Sequence, residues 1–175
     1  MLQWDHEVDL LVVGSGTGMA AALTGAVKGL TTLLIDKADV YGGTTAISGG
    51  GIWVPNNVAL ARAGVADTPA EAKAYVDAVL ALNNDDVSPE RRHAYLTRGP
   101  EAIEFLEQHA SLLTFTWVEN YPDYHPELPG GKAEGRQIQT SAIDGRALGD
   151  ERARMRPPLR LAPQPFGMWI MISEA

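Results

Sequence analysis

The stretch that most restricts the fold is an apolar run from Val8 to Val13, broken only by Asp9 and followed by Gly14, Gly16 and Gly18. A run of that length reads as a buried parallel strand that ends in a glycine turn. The Ala-rich segment Met19 to Lys28 then has the composition of a helix, and Gly29 suits the left-handed position just past its end. A second apolar run, Thr31 to Ile35, leads into Asp36 and Lys37. Strand, glycine turn, helix and strand in this order predict a Rossmann-like α/β fold. An acidic residue about 20 positions beyond the turn is where such folds hold a ribose hydroxyl.

The residue types follow from the chemistry of a dinucleotide. Its pyrophosphate needs bare backbone N–H groups at a helix N-terminus, and a side chain at Gly14 or Gly16 would keep the backbone away from it. Ser15 and Thr17 can add hydroxyl donors. The usual spacing is G-x-G-x-x-G, whereas here Met19 holds the third glycine's place and Gly18 comes one residue early. Ala20 to Ala22 are expected to supply the small residues that let helix and sheet approach. Taken alone, the triplet is also compatible with a turn that binds nothing.

A second glycine loop separates these readings. Tyr41-Gly42-Gly43-Thr44-Thr45-Ala46-Ile47-Ser48-Gly49-Gly50-Gly51 follows the ribose position directly. Nicotinamide dehydrogenases have no need of such a loop there, while flavoproteins run one along the flavin's phosphates and ring. With Ile52-Trp53-Val54-Pro55 after it, the pair of motifs resembles the FAD-dependent family of fumarate reductases and 3-ketosteroid dehydrogenases. The resemblance implies FAD held by Gly14, Ser15, Gly16, Thr17, Gly18, Asp36, Lys37, Gly42, Gly43, Thr44, Thr45, Ser48, Gly49 and Gly50, with Gly51 at the wall of the substrate pocket. Residues 1–55 are expected to begin the FAD-binding domain and residues 56–175 to begin an inserted α+β substrate or catalytic domain.

Composition narrows the function classes. A chain that is 45% hydrophobic and 21% charged is globular. A net charge of −8 and a pI near 4.9 oppose a nucleic-acid or anionic-membrane surface. The sequence has no cysteine, which removes disulfides and thiolate chemistry and suits the cytoplasm. Leu10 to Val27 is uncharged and long enough for a membrane span, but its glycines and hydroxyls argue against one. MLQWDHEVD is acidic where a secretory signal is basic, so the expectation is a soluble protein with its natural start. No motif specifies an oligomeric state.

Past Pro55 the chain reads as helical. Asn56 to Ala63 is closed by Gly64, and Thr68-Pro69-Ala70-Glu71 is a capping box that opens a helix to about Leu82. Asn83 to Asp86 ends it, Ser88-Pro89 opens another helix, and Gly99-Pro100 is expected to start a third. Alternation in Leu112 to Trp117 predicts a strand.

The next stretch, Asn120-Tyr121-Pro122-Asp123-Tyr124-His125-Pro126-Glu127-Leu128-Pro129-Gly130-Gly131, forbids a regular element. Its aromatic and acidic side chains could line a site or pack on their own domain. Pro-Asp-Tyr, then Pro-Glu, Gly-Gly and the later Gly135-Arg136, resembles the 3-ketosteroid Δ1-dehydrogenases in particular. That resemblance places the hydroxyl of Tyr124 at the steroid site, assisting the base that takes the C2 proton as hydride passes from C1 to flavin N5. Tyr121 becomes a candidate for the pocket wall. The implied partners are a 3-ketosteroid or similar apolar ketone and an external electron acceptor, in steroid catabolism.

The C-terminal part is less specific. Ile138 to Ile143 is expected to be extended, Gly145 to Met155 a polar helix, and Phe166 to Ile172 an apolar segment. Arg146, Arg152, Arg154, Arg156 and Arg160 form a basic run, read as a solvated face or as a contact for an acidic partner. Ala46 to Gly50 approaches a nucleophile elbow but lacks its first glycine, and the four histidines show no paired metal spacing. A doubly wound flavin domain needs further strands, and the resemblance implies later glycine motifs and catalytic groups. The chain is therefore expected to be an N-terminal fragment or a truncated product. The rival readings are a fumarate-reductase-like or Δ4-ketosteroid flavoenzyme and a non-catalytic FAD-binding module.

Overall fold

The computed structural model describes residues 3–157 in two compact units, one of residues 3–49 and 143–157 and one of residues 50–142. The expected division lies after Pro55. In the structure it falls after Gly49, and the segment from Ile143 returns to the first unit.

In the first unit, strand β1 (Leu10–Val13) pairs in parallel with β2 (Thr32–Ile35), from Leu10 opposite Thr32 to Val13 opposite Ile35. Helix α1 (Gly18–Val27) makes the crossover between them. Side chains alternate along a strand, so Leu10 and Val12 turn to the helix while Leu11 and Val13 stay 53% and 75% exposed on the other face. A Cβ at Gly18 would lie 2.9 Å from Val12, and one at Gly25 would lie 2.6 Å from Leu10 and Thr32. Close packing of helix on sheet thus rests on Gly18 and Gly25, seven positions apart on one helix face. The glycine that sits one residue early serves the packing role of the third fingerprint glycine.

Residues 143–157 reach the start of the second glycine loop. Tyr41 N–H donates to Arg154 O at 2.9 Å, and Arg156 N–H donates to Tyr41 O at 2.8 Å. The expected polar helix is two short pieces, a 3-10 turn Gly145–Leu148 and α2 (Glu151–Arg154). Gly149, at φ 54°, separates them, because a left-handed residue cannot continue the helix. Phe166 to Ile172 and Arg160 lie outside the described residues.

The second unit packs three helices on a small antiparallel sheet. Strands β3 (Ile52–Trp53), β4 (Phe115–Trp117) and β5 (Gln137–Thr140) lie in the order β3-β5-β4. Helix α3 (Val58–Arg62) is capped by buried Asn57, whose Oδ1 accepts from Ala59 N and Leu60 N at 2.8 and 3.1 Å. Helix α4 (Pro69–Asn83) starts at Thr68, whose Oγ1 accepts from Glu71 N at 3.2 Å, and ends at left-handed Asn84. Val54, Ala59, Ile103, Phe115 and Ile138 form the core. Full burial of a side chain such as Phe115 or Ile138 contributes about 1.5–3 kcal/mol.

Helix α5 (Pro89–His109) departs from expectation, since it runs through Gly99-Pro100 without a break. A proline removes one helical hydrogen bond and crowds the turn before it. Here Gly99 has no side chain to collide with the ring, and a Cβ there would lie 3.2 Å from Val54 Cγ1. Packing against the core holds the helix together where the local sequence would end it.

Candidate functional site: a glycine cradle and a tyrosine loop

The first unit gathers most of the predicted cofactor residues around one serine. Gly14 is left-handed at φ 96° and donates its N–H to Ile35 O at 2.7 Å, which turns the chain sharply out of β1. Ser15 is 1% exposed. Its N–H donates to Asp36 Oδ2 at 2.8 Å, its hydroxyl donates to the same oxygen, and its Oγ accepts Gly42 N–H at 2.8 Å. Asp36 Oδ1 accepts from Ala38 N at 3.0 Å. One hydroxyl thus ties the first glycine turn, the acidic residue and the second glycine loop together.

This changes the part Ser15 plays. A hydroxyl has one proton, and that of Ser15 is directed to Asp36, so the side chain organises the cradle and Thr17, exposed at the helix start, is the hydroxyl that faces outward. The second loop meets the first closely. A Cβ on Gly16 would lie 3.3 Å from Thr45 Oγ1, and one on Gly43 would lie 3.4 Å from Gly16 N. Arg156 donates to Gly43 O at 3.1 Å. Lys37, Thr44, Thr45, Ser48 and Gly49 line the exposed rim.

Electrostatics follow from the same bonds. The Ser15 hydroxyl, then the Ala38 and Ser15 amides, hold the carboxyl of Asp36 down at about 2, from an ordinary value of 3.8. A depressed acid favours the folded cradle above its unfolded value, and that contribution fades as pH falls through the folded one. Loosening of the cradle is therefore expected between about pH 3.8 and 2. Following the Asp36 carboxyl carbon by NMR should give a midpoint near 2 in the native chain and a higher one in Ser15→Ala. The same midpoint in both would show that Ser15 does not set it.

In the second unit the tyrosine loop is fastened at several points. Asp123 N–H donates to Lys132 O at 3.0 Å, and His125 N–H donates to Tyr75 Oη at 3.2 Å. Tyr124, between them, is 87% exposed, and Tyr121 is 39% exposed. Gly51 packs on β5, where a Cβ would lie 2.7 Å from Gln137 Nε2. In the sequence Asp123 and Arg136 stand only as parts of a motif and nothing signals Asp67 or Tyr75, yet all four meet in one cluster. Among the described residues no group of His, Asp or Glu could hold a metal ion, and no helix is long and apolar enough to cross a membrane.

Residues 9–174 match the family described as FAD binding domain. The chain belongs to that family. It is 48% identical over 159 residues to a 3-oxosteroid 1-dehydrogenase of Mycolicibacterium smegmatis, covering 90% of this chain and 27% of the relative. It is 41% identical over 150 residues to a 4-oxocyclohex-2-ene-1-carboxylate 5-dehydrogenase of Sinomonas cyclohexanicum, covering 85% of this chain and 24% of that one. A crystal structure of 3-ketosteroid delta1-dehydrogenase from Sterolibacterium denitrificans, in complex with 1,4-androstadiene-3,17-dione, aligns with TM-score 0.79 and 34% identity over 95% of this chain and 29% of the other. The chain therefore spans roughly a quarter of the length of these relatives, and the resemblance read from its motifs is borne out.

The cradle of this FAD binding domain fits the cofactor's pyrophosphate. The amides of Gly16, Thr17 and Gly18 donate to no acceptor among the described residues, as the first amides of a helix do not. They stand at the positive end of α1, where an anion is favoured. Asp36 is ionised near neutral pH and keeps acceptor capacity beyond its bonds to Ser15 and Ala38 for a ribose hydroxyl.

Proposed function

We propose that this chain is the FAD-holding and part of the substrate-side machinery of a 3-oxosteroid 1-dehydrogenase. The observation that carries the reading is the cradle joined by Ser15, with free amides at Gly16 to Gly18 beside an ionised Asp36. It is supported by 48% identity to a relative of that name. When bound, FAD supplies the acceptor for hydride leaving C1 of a 3-ketosteroid as C2 loses a proton, and an external electron acceptor then reoxidises it. The amides of Gly16 to Gly18 hold the pyrophosphate, Asp36 the adenosine ribose, and the second glycine loop through Gly50 the flavin side. Gly51 and Tyr121 contribute to the pocket wall. An acidic chain without cysteine suits the cytoplasm, which is the proposed location.

Tyr124 is assigned to the substrate. Its exposed phenol offers an apolar ring to a steroid and a hydroxyl that exchanges hydrogen bonds with the base group. Tyr124→Phe is expected to lower turnover of the native flavin-loaded protein roughly 10- to 100-fold, as for a lost hydrogen bond to a charged group. FAD content should stay unchanged. Normal turnover would remove Tyr124 from the site. The function itself is tested by incubating native protein with a 3-ketosteroid and an artificial electron acceptor. A C1–C2 alkene is the expected product, and desaturation only of a small alicyclic ketone acid would favour the second relative's chemistry instead.

A further inference from the structure

Arg136 heads the largest fully buried side chains among the described residues, with its side chain 0% exposed. Its Nε donates to both oxygens of Asp67 at 3.1 and 3.0 Å, and its Nη2 donates to Gly130 O at 2.8 Å. Its Nη1 pairs with Asp123, whose side chain is also 0% exposed. The guanidinium lies 5.6 Å from the Trp53 ring centre and 5.5 Å from that of Tyr75. Trp53, which follows the glycines at Gly50 and Gly51, donates its indole N–H to Asp123 Oδ1 at 2.7 Å. Asp123 Oδ2 also accepts Lys132 N–H at 3.1 Å, and Asp67 Oδ2 accepts Asn56 N–H at 2.9 Å.

Removing such charges from water is so unfavourable that apolar replacements of a buried ion pair are often as stable or more so. What a guanidinium adds is geometry, because its donors leave in a fixed planar fork. Here the fork sets the distances among Asp67, Asp123 and Gly130, and so fixes the loop near its beginning and near its end. Tyr75, stacked beside the fork, takes the N–H of His125. The backbone is therefore held at Asp123 and at His125, the two neighbours of Tyr124, while the Tyr124 ring projects into the open. Pro122 and Pro126 remove further freedom from the same few residues.

We propose that Arg136, Asp123 and Tyr75 are positioning residues that act through Tyr124, clamping its backbone so that its hydroxyl meets the substrate in one geometry. The proposal rests on the assignment of Tyr124 to the substrate side. Catalysis depends on reacting groups held to well under 1 Å, and loose placement alone slows it. The clamp converts a proline loop on the surface into a fixed mount.

Two variants of the native flavin-loaded protein test this. Tyr75→Phe removes only the oxygen that holds His125, and Arg136→Lys keeps the charge but loses the fork. Hydrogen exchange at the His125 amide should quicken by at least about tenfold in both, with the amides of β4 and β5 unchanged. Turnover number should fall roughly tenfold or more at nearly constant KM and constant FAD content. Tyr75→Phe combined with Tyr124→Phe should be no slower than Tyr124→Phe alone. Unchanged exchange at His125, or losses that multiply in the double variant, would overturn the clamp. Full turnover in Tyr75→Phe and Arg136→Lys beside a slow Tyr124→Phe would overturn it too, with the Tyr124 assignment intact. Full turnover in Tyr124→Phe itself would instead sink that assignment, and the proposal with it.

Discussion

Valine in place of Gly16 is expected to leave the protein essentially without FAD. A Cβ there already lies 3.3 Å from Thr45 Oγ1 and 4.0 Å from Gly42 O, and the two further methyl groups must also be placed in that gap or over the amides of the helix start. The pyrophosphate and the second glycine loop cannot both keep their places. Two lost amide contacts to a charged group amount to about 3–6 kcal/mol, which is roughly a 100-fold or larger rise in Kd. Titration of flavin-free protein with FAD, followed by flavin fluorescence, measures this directly. Gly16→Ala is the control, since a single methyl at 3.3 Å needs only a small shift of the Thr45 side chain. A valine variant with native affinity would mean that the turn after β1 is not the phosphate cradle.

Much of this cradle was legible because its signals are local. A strand, a glycine turn, a helix closed at Gly29 and a second strand ending in Asp36 are each set by neighbours in the chain, and the structure follows them within a residue or two. The capped starts at Thr68 and Ser88 are readable for the same reason, as is the left-handed stop at Asn84. Gly99-Pro100 misled because the local rule was outweighed by Val54, far away in sequence, against which the bare Cα of Gly99 packs. The part played by Ser15 was hidden likewise, since a hydroxyl after a strand looks the same whether it faces a phosphate or Asp36. The basic run divides in a way that spacing alone does not foretell. Arg146 and Arg154 pair with nearby Asp144 and Glu151 at the surface, while Arg156 turns to Gly43 O.

The Arg136 cluster is the extreme case of this limit. Its partners Asp67 and Asp123 stand 69 and 13 positions away, and no periodicity links them. What the sequence did carry was the concentration of glycine and proline between Pro122 and Gly135. Those residues mark where backbone runs against backbone, although they do not name the surface it meets. The structure supplies that surface, and Gly135 shows how tight it is.

Alanine at Gly135 should therefore destabilise the second unit far more than an ordinary loop substitution. Its Cβ would overlap the carbonyl oxygen of Tyr121, lie 2.8 Å from the Tyr121 carbonyl carbon and 3.1 Å from that of Pro122. Backbone cannot rotate aside as a side chain can, so the loop must move. Gly64, in the same unit, gives a matched comparison. It has the same φ of 72° but nothing within 4 Å of its would-be Cβ, so Gly64→Ala isolates the left-handed backbone effect, about 1–2 kcal/mol. Gly135→Ala carries that effect plus the collision, which adds about 1–3 kcal/mol as overpacking does elsewhere. Urea unfolding followed through Trp53 and Trp117, both in this unit, reads the two variants side by side. Trp117 is a close reporter, because its indole N–H donates to Gly135 O at 3.3 Å. The expected order of midpoints is native, then Gly64→Ala, then Gly135→Ala well below both. Equal losses in the two variants would mean that the loop does not run against Tyr121 in solution, and the fixed mount for Tyr124 would lose its footing.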